Sequence, residues 1–393
     1  MMPFCNTVPP PLVILGASTR AAAFSALGGG LAPICGDLFA DADLAARCPV
    51  TAVENYPAGF SAVADAAAAG PWMYTGGLEN HPDVVRRIAA GRRLYGNDAD
   101  VLARVRDPFA VYQALTEAQW AVPEVRSTAE SLPRDGLWLV KSRRSCGGSG
   151  VAAWNGAGAD GARRSQHYFQ RRIAGTPGAA IYLAAGRDAR LLGATEQIMM
   201  GRPGRAGAFR YAGSIGPLPL ADRQIDLLAA IGHTLAAAFS LRGLFGVDFI
   251  DDGTNVWPIE VNPRYTASIE ILERACSFSA VGWHVSACRE GVIPDEALGG
   301  DGLWHAKRIL YAPCDATIGE AFTHRALAAR GDEAKPAIAD IPPAGSLVKA
   351  NRPAMTVFAS GASRAEALAG LDDSAQLWAG RLIEAGAVRN APR

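Results

Sequence analysis

The chain has 393 residues, 49% of them hydrophobic, with 38 basic and 38 acidic side chains and a formal net charge of zero. That length exceeds one ordinary compact domain, and the apolar fraction supplies a substantial core, which excludes a disordered chain. A neutral balance leaves no electrostatic footprint for nucleic acid or an anionic membrane, so neither is an expected partner.

Residues 11–15 form a short apolar strand that runs into Gly16-Ala17-Ser18-Thr19-Arg20, and the alanine-rich stretch 21–27 follows as a helix. Strand–turn–helix is how nucleotide-binding α/β units open, but the turn has a single glycine in place of Gly-x-Gly-x-x-Gly. A plain α/β unit without a dinucleotide is therefore expected. A second strand, 71–75, leads into Gly76-Gly77-Leu78-Glu79-Asn80. This segment reads as a binding loop at the C-terminal end of a strand, where ligands of open sheets sit. It reads equally as a helix start, with Asn80 capping and Pro82 near the first helical position.

A helix is expected from Asp107-Pro108 to about residue 119, with Val111, Leu115 and Ala118 at helical spacing. The strand 137–141 ends in Lys141, and Ser-Arg-Arg-Ser-Cys-Gly-Gly-Ser-Gly follows over 142–150. Lysine occurs four times, at 141, 307, 335 and 349, so 34 of the 38 basic residues are arginine and each lysine is informative. A loop carrying Gly147, Gly148 and Ser149 beside Lys141 can wrap phosphates with backbone N–H groups and a point charge. It is not a P-loop, and a flexible linker with solvated arginines is the plainer alternative. Residues 168–175, including Gln170, Arg171 and Ile173, form a strand joining two lobes, and 181–185 and 195–200 are further strands.

The helix 223–241 precedes the most informative segment, 244–264. Two strand-like runs flank the turn signal Asp252-Gly253. Alternation of side chains puts Val247 and Phe249 on one face and Asp248 on the other. In the second run Ile259 and Val261 share a face, opposite Glu260 and Asn262. Two carboxylates and an amide are oxygen donors suited to Mg²⁺, and Arg264 adds a fixed positive charge, a combination that suggests phosphoryl transfer. The alternative is a surface hairpin with ordinary acidic residues. A short helix, 268–276, follows, then strands at 304–312, 346–350 and 356–359 and a helix over 363–384.

The cysteines, at 5, 35, 48, 146, 276, 288 and 314, are odd in number and form no Cys-x-x-Cys, so reduced structural thiols in a cytoplasmic protein are expected. Met-Met-Pro-Phe-Cys-Asn lacks the basic start and apolar run of a signal peptide, and no run of about 18 apolar residues predicts a membrane span.

The hairpin resembles the metal-binding hairpin of the ATP-grasp superfamily, an acidic residue in one strand and Glu-x-Asn-x-Arg in the next. Asp248, Glu260, Asn262 and Arg264 match it position by position. The order of parts is similar to that of ATP-grasp proteins of the biotin carboxylase and purine carboxylase kind. This resemblance implies an α/β fold in three parts: an N-terminal α/β (pre-ATP-grasp) domain over 1–105, an ATP-grasp domain over 106–295 with a lid at about 126–170, and a small β-rich C-terminal domain over 296–393. It implies ATP and Mg²⁺ as cofactors, with Mn²⁺ as a substitute. Asp248, Glu260 and Asn262 become metal ligands, and Lys141 and Arg264 the catalytic residues, as lid lysine and anion stabiliser. Gly147, Gly148 and Ser149 fall on the phosphates, and Gln170, Arg171 and Ile173 where adenine meets the hinge.

Two departures stand out. The family often has Asp-Lys where this chain has Asp107-Pro108, which leaves Arg106 as the nearest substitute for a phosphate-binding lysine. The alternative is a solvated Arg106 paired with Asp107 or Asp100. The hinge has Gln170-Arg171 in place of Glu-Glu or Glu-Lys, so adenine contacts through the backbone are expected. The activity implied is ADP-forming ligation of a small carboxylate to an amine through an acyl phosphate, in a homodimer. The N-terminal pattern and Ile341-Pro342-Pro343 are similar to tyramine–glutamate ligases of the methanofuran type, in one-carbon cofactor biosynthesis. Rival readings are a bicarbonate-using carboxylase, a non-catalytic nucleotide-binding protein, and an NAD-dependent enzyme using residues 16–20.

Overall fold

A computed structural model of the chain describes residues 11–156, 166–201 and 208–387. The N-terminal hexapeptide with Cys5, and part of the expected lid, lie outside the described residues. The first strand, Pro11–Gly16, is apolar on both faces because both are covered, as in other parallel sheets. Leu12 and Ile14 pack with Ala22, Ala23 and Ala26 of the helix Arg20–Gly28. Val13 and Leu15 pack on the opposite side with Phe60 and Trp72. The strand is central in a parallel sheet ordered Val50–Ala52, Ala32–Asp37, Pro11–Gly16, Trp72–Tyr74.

The turn after this strand is closed against the next loop. A Cβ on Gly16 would lie 2.0 Å from Thr75 Oγ1, Ala17 N–H donates to Gly76 O, and Thr75 Oγ1 donates to Ser18 O. The donors of Thr19 go to Asp37, both from N–H and from the hydroxyl. Arg20 goes to Glu270 and Asp340. With the Ala17 and Thr19 N–H groups and the Arg20 guanidinium already engaged, this turn makes a poor phosphate cradle.

In the second loop the expected cap is displaced. The helix Pro82–Gly91 has Pro82 in its first turn, but His81 is the N-cap and Asn80 belongs to a 3-10 turn, Leu78–Asn80. Asn80 turns its amide toward Ser145 and Arg106 instead.

Eight antiparallel strands form the main sheet of the described residues, ordered Val256–Asn262, Gly243–Asp251, Thr176–Ala185, Asp188–Met199, Tyr211–Gly216, Trp304–Tyr311, Pro353–Gly361, Ile338–Ala339. The strands beyond residue 300 thus continue the sheet that carries the hairpin. Of the strand expected over 346–350, only Leu347–Val348 forms, paired to Ala316–Thr317. The helix Asp222–Phe239 lies against the hairpin's back. A Cβ on its Gly232 would come within 2.2 Å of the Tyr182 ring, which stacks on Phe245 at 4.8 Å, so the absent side chain lets helix and sheet close. A separate antiparallel sheet, Val125–Arg126, His167–Arg171, Trp138–Ser142, Val151–Ala153, is held by Trp138, Trp154 and Phe169. Among the described residues no helix is long and apolar enough to cross a membrane.

Candidate active site

The hairpin register places Asp248 directly across from Glu260, and Gly246 across from Asn262. A β-bulge follows, since Phe249 already faces Pro258. Two residues oppose one at a bulge, which re-aims side chains. Val247, Phe249 and Val261 enter the core as alternation predicts, but Ile259 does not share their face. It lines a cavity beside Glu260.

Asp248 accepts from Gln197 Nε2 at 2.9 Å and from Asn262 Nδ2 at 3.3 Å. Removal from water, first, and the charge of Glu260 push its pKa up to about 7. Glu260 moves the other way. Desolvation would raise it, but Arg106 and then Lys141 and Arg264 outweigh that and hold it below the ordinary carboxylate value.

Arg106 is not paired with Asp107 or Asp100, whose partners are Arg143 and Arg86. Its guanidinium donates to Glu260 Oε1 at 2.6 Å, Val261 O at 3.2 Å and Asn80 Oδ1 at 3.2 Å. Asp107 caps the helix Pro108–Glu117, which fixes the residue before it at the hairpin's edge.

Arg264 is clamped. Its Nη2 lies 2.7 Å from Glu79 Oε1, Nη1 donates to Tyr265 O, and Nη2 also donates to Asn262 Oδ1. The Glu79 side chain is 1% exposed and that of Arg264 9%. Burial would lower the Arg264 pKa, but Glu79 and the other anions around it raise it, so the charge is permanent. The Arg264 guanidinium packs beside Gly76, where a Cβ would make ordinary contact with Cζ at 3.5 Å.

Lys141 is buried and donates to Gln170 Oε1 at 2.9 Å. The Gln170 amide also donates to Ile259 O, so its side chain is engaged at both ends. The loop after Lys141 needs its glycines: Gly147 and Gly148 have φ of 60° and 73°, and a Cβ on Gly148 would strike Phe209 O at 1.7 Å.

One cavity of about 630 Å³ gathers most of these groups. Lys141, Gln170, Arg171, Ile173, Asp248, Glu260, Asn262, Arg264, Gly147 and Gly148 all line it. Ser149 does not line it and donates to Cys146 O within the loop. Arg106 lines a small adjoining pocket shared with Lys141 and Glu260. Sequence reading missed Gln197, Cys146 and the ion-paired group Arg20, Glu270, Lys307 and Asp340, all of which line the main cavity. Of these only Lys307 carried a signal, as one of four lysines.

Residues 105–268 match the family model of the ATP-grasp domain. The carbamoyl phosphate synthase large chain of Clostridium acetobutylicum is 36% identical over 55 residues, which is 14% of this chain and only 5% of that relative. Solved structures cover far more. N5-carboxyaminoimidazole ribonucleotide synthetase of Thermus thermophilus matches 94% of this chain and 98% of its own, at TM-score 0.65 and 16% identity. Biotin carboxylase of Campylobacter jejuni, as a β,γ-ATP complex, matches 92% and 90%, at 0.70 and 14%. L-amino acid ligase of Bacillus licheniformis matches 94% and 98%, at 0.67 and 12%. At such identities the likeness is one of fold. The chain carries an ATP-grasp domain over residues 105–268, set in the architecture shared by the purine-synthetase and biotin carboxylase structures.

Proposed function

We propose that the chain is an ATP-dependent, ADP-forming ligase that joins a small carboxylate to an amine. The observation that carries this reading is the facing pair Asp248 and Glu260, with Asn262 and Arg264, in one cavity with Lys141. Such a volume suits a nucleotide and a small second ligand. A substrate carboxylate oxygen attacks the γ-phosphorus, and ADP leaves. The amine nitrogen then attacks the acyl phosphate carbonyl, loses a proton, and inorganic phosphate departs.

Arg264, permanently charged and paired with Glu79, stabilises the oxyanion that develops at that carbonyl. Lys141 and the N–H groups of Gly147 and Gly148 hold the phosphates. The Gln170 side chain is engaged, and the N–H groups of Arg171 and Arg172 donate to Glu124 O and Leu137 O, so backbone contact with adenine falls to Ile173, which lines the cavity. The Asp248 and Glu260 carboxylates face each other, which fits a hard divalent cation, and the Asn262 amide, whose Nδ2 donates to Asp248 and whose Oδ1 accepts from Arg264, would add its oxygen on turning over. Mg²⁺, or Mn²⁺, held there supplies neutralisation of phosphate charge. The loop that carries Gly148 and packs on Phe209 keeps water from the acyl phosphate. The finer reading, a ligase of one-carbon cofactor biosynthesis similar to tyramine–glutamate ligases, is supported by the N-terminal pattern and Ile341-Pro342-Pro343.

The test is product analysis with carboxylate and amine pairs, with and without bicarbonate. ADP with phosphate, dependent on both organic substrates, is expected. AMP with pyrophosphate overturns the acyl phosphate, and an absolute need for bicarbonate points to carboxylation. Lys141→Ala should weaken ATP binding about tenfold or more, the scale of hydrogen bonds to charged groups, and affect the carboxylate less. Calorimetry with ATP decides it; unchanged affinity removes Lys141 from the phosphate site.

A further inference from the structure

Arg106 belongs to neither the hairpin nor the loop after Lys141, yet it holds both. Nη1 donates to Glu260 Oε1 at 2.6 Å and to Val261 O at 3.2 Å, in the hairpin. Nη2 donates to Asn80 Oδ1 at 3.2 Å and to Ser145 O at 3.3 Å, the latter in the loop. A guanidinium has four η protons, and here it meets four acceptors. They lie on three segments far apart in sequence. Nε is buried and has no partner. A phosphate reaching Arg106 would find that single donor free, and not the fork that makes arginine a phosphate clamp.

The loop is held from two sides. Ser145 O receives a second donor, Asn80 Nδ2, at 3.4 Å. Two residues on, Tyr211 N–H donates to Gly147 O at 3.0 Å, and the backbone of Gly148 lies against Phe209 O. Arg106 thus closes one end of the loop onto the hairpin, while the strand Tyr211–Gly216 receives the other. Asp107 does not draw the guanidinium away, because it caps its own helix and pairs with Arg143.

We propose that Arg106 is a positioning residue: it fastens the closed loop to the hairpin, so that loop closure and the orientation of Glu260 are one event. This rests on the ligase reading above and adds what keeps the loop shut over the acyl phosphate. The guanidinium is planar and rigid, so lifting Ser145 O away also disturbs the bond to Glu260. A lysine at this position keeps the charge beside Glu260. Its ammonium is a compact donor on a flexible stem and does not span hairpin and loop together.

The test is amide hydrogen exchange of the full chain without nucleotide, in the wild type and in Arg106→Lys. It is read in the loop 142–150 and at Tyr211, whose N–H reports the docked loop from the opposite side. Exchange about tenfold faster at both is expected, the scale of lost hydrogen bonds, with the N-terminal sheet unchanged. Unchanged exchange in a folded Arg106→Lys overturns the proposal. A second readout separates positioning from phosphate binding. Arg106→Lys should leave ATP affinity by calorimetry unchanged and release more ADP than ligated product, because water reaches the acyl phosphate. Equal amounts of ADP and product, or ATP affinity weakened about tenfold or more, overturns the positioning role. Should Arg106→Lys not fold, as its melting transition reports, Asn80→Ala carries the exchange test. That change frees Ser145 O on one side and leaves the pair Arg106–Glu260, and a loop still fully protected overturns the proposal. Exchange is read without turnover, so its failure is separable from failure of the ligase reading, which the ADP assay reports.

Discussion

Glu260→Gln should lower turnover by on the order of a hundredfold or more while the fold survives. The change removes one charge from the facing pair Asp248 and Glu260 and keeps the volume. It also strips Arg106 of its ionic partner, but Arg106 keeps Val261 O, Asn80 and Ser145 O as acceptors, so the guanidinium is not orphaned. Thermal melting of the variant checks the fold, and single-turnover rates at saturating Mg²⁺ check the chemistry. A wild-type rate under those conditions would show that Glu260 serves Arg106 and no metal.

Arg264→Ala should produce two separable losses. The oxyanion loses its donor, which commonly costs about a hundredfold to a thousandfold in turnover. Glu79, 1% exposed, is left as an uncompensated buried charge, and breaking such a pair from one side costs about 3–5 kcal/mol. Adding Glu79→Gln to Arg264→Ala removes the stranded charge. The double variant should regain most of the stability in denaturant titrations and none of the turnover. If turnover returns with stability, Arg264 is a strut for the Gly76–Gly77 loop and does not act on the reaction.

The two predictions depend on different kinds of information. The polar face of the hairpin was legible because a strand repeats every two residues, so Asp248, Glu260 and Asn262 declare themselves over a short window. Lys141 was legible through scarcity, in a chain whose basic residues are nearly all arginine. The facing of Asp248 and Glu260 was not, because register is a pairing between strands. Nor was the bulge that sends Ile259 to the cavity, since one extra residue leaves no mark on composition. Asn80 reads as a cap by local rules, yet Arg106 and Ser145 claim its amide.

By itself the sequence determined the α/β elements, the oxygen donors of the hairpin and the loop that follows Lys141, all carried by local periodicity and turn chemistry. Tertiary structure decided the partners of the buried guanidinium groups around the site. Arg106 meets Glu260 across 154 positions, Arg264 meets Glu79 across 185, and Arg20 meets Glu270 across 250 and Asp340 across 320. Each guanidinium had nearer carboxylates in sequence, Asp107 and Asp100 for Arg106 among them. The physical reason is burial: a charge drawn out of water must take whichever counter-charge the fold places within reach, and chain separation does not enter that energy.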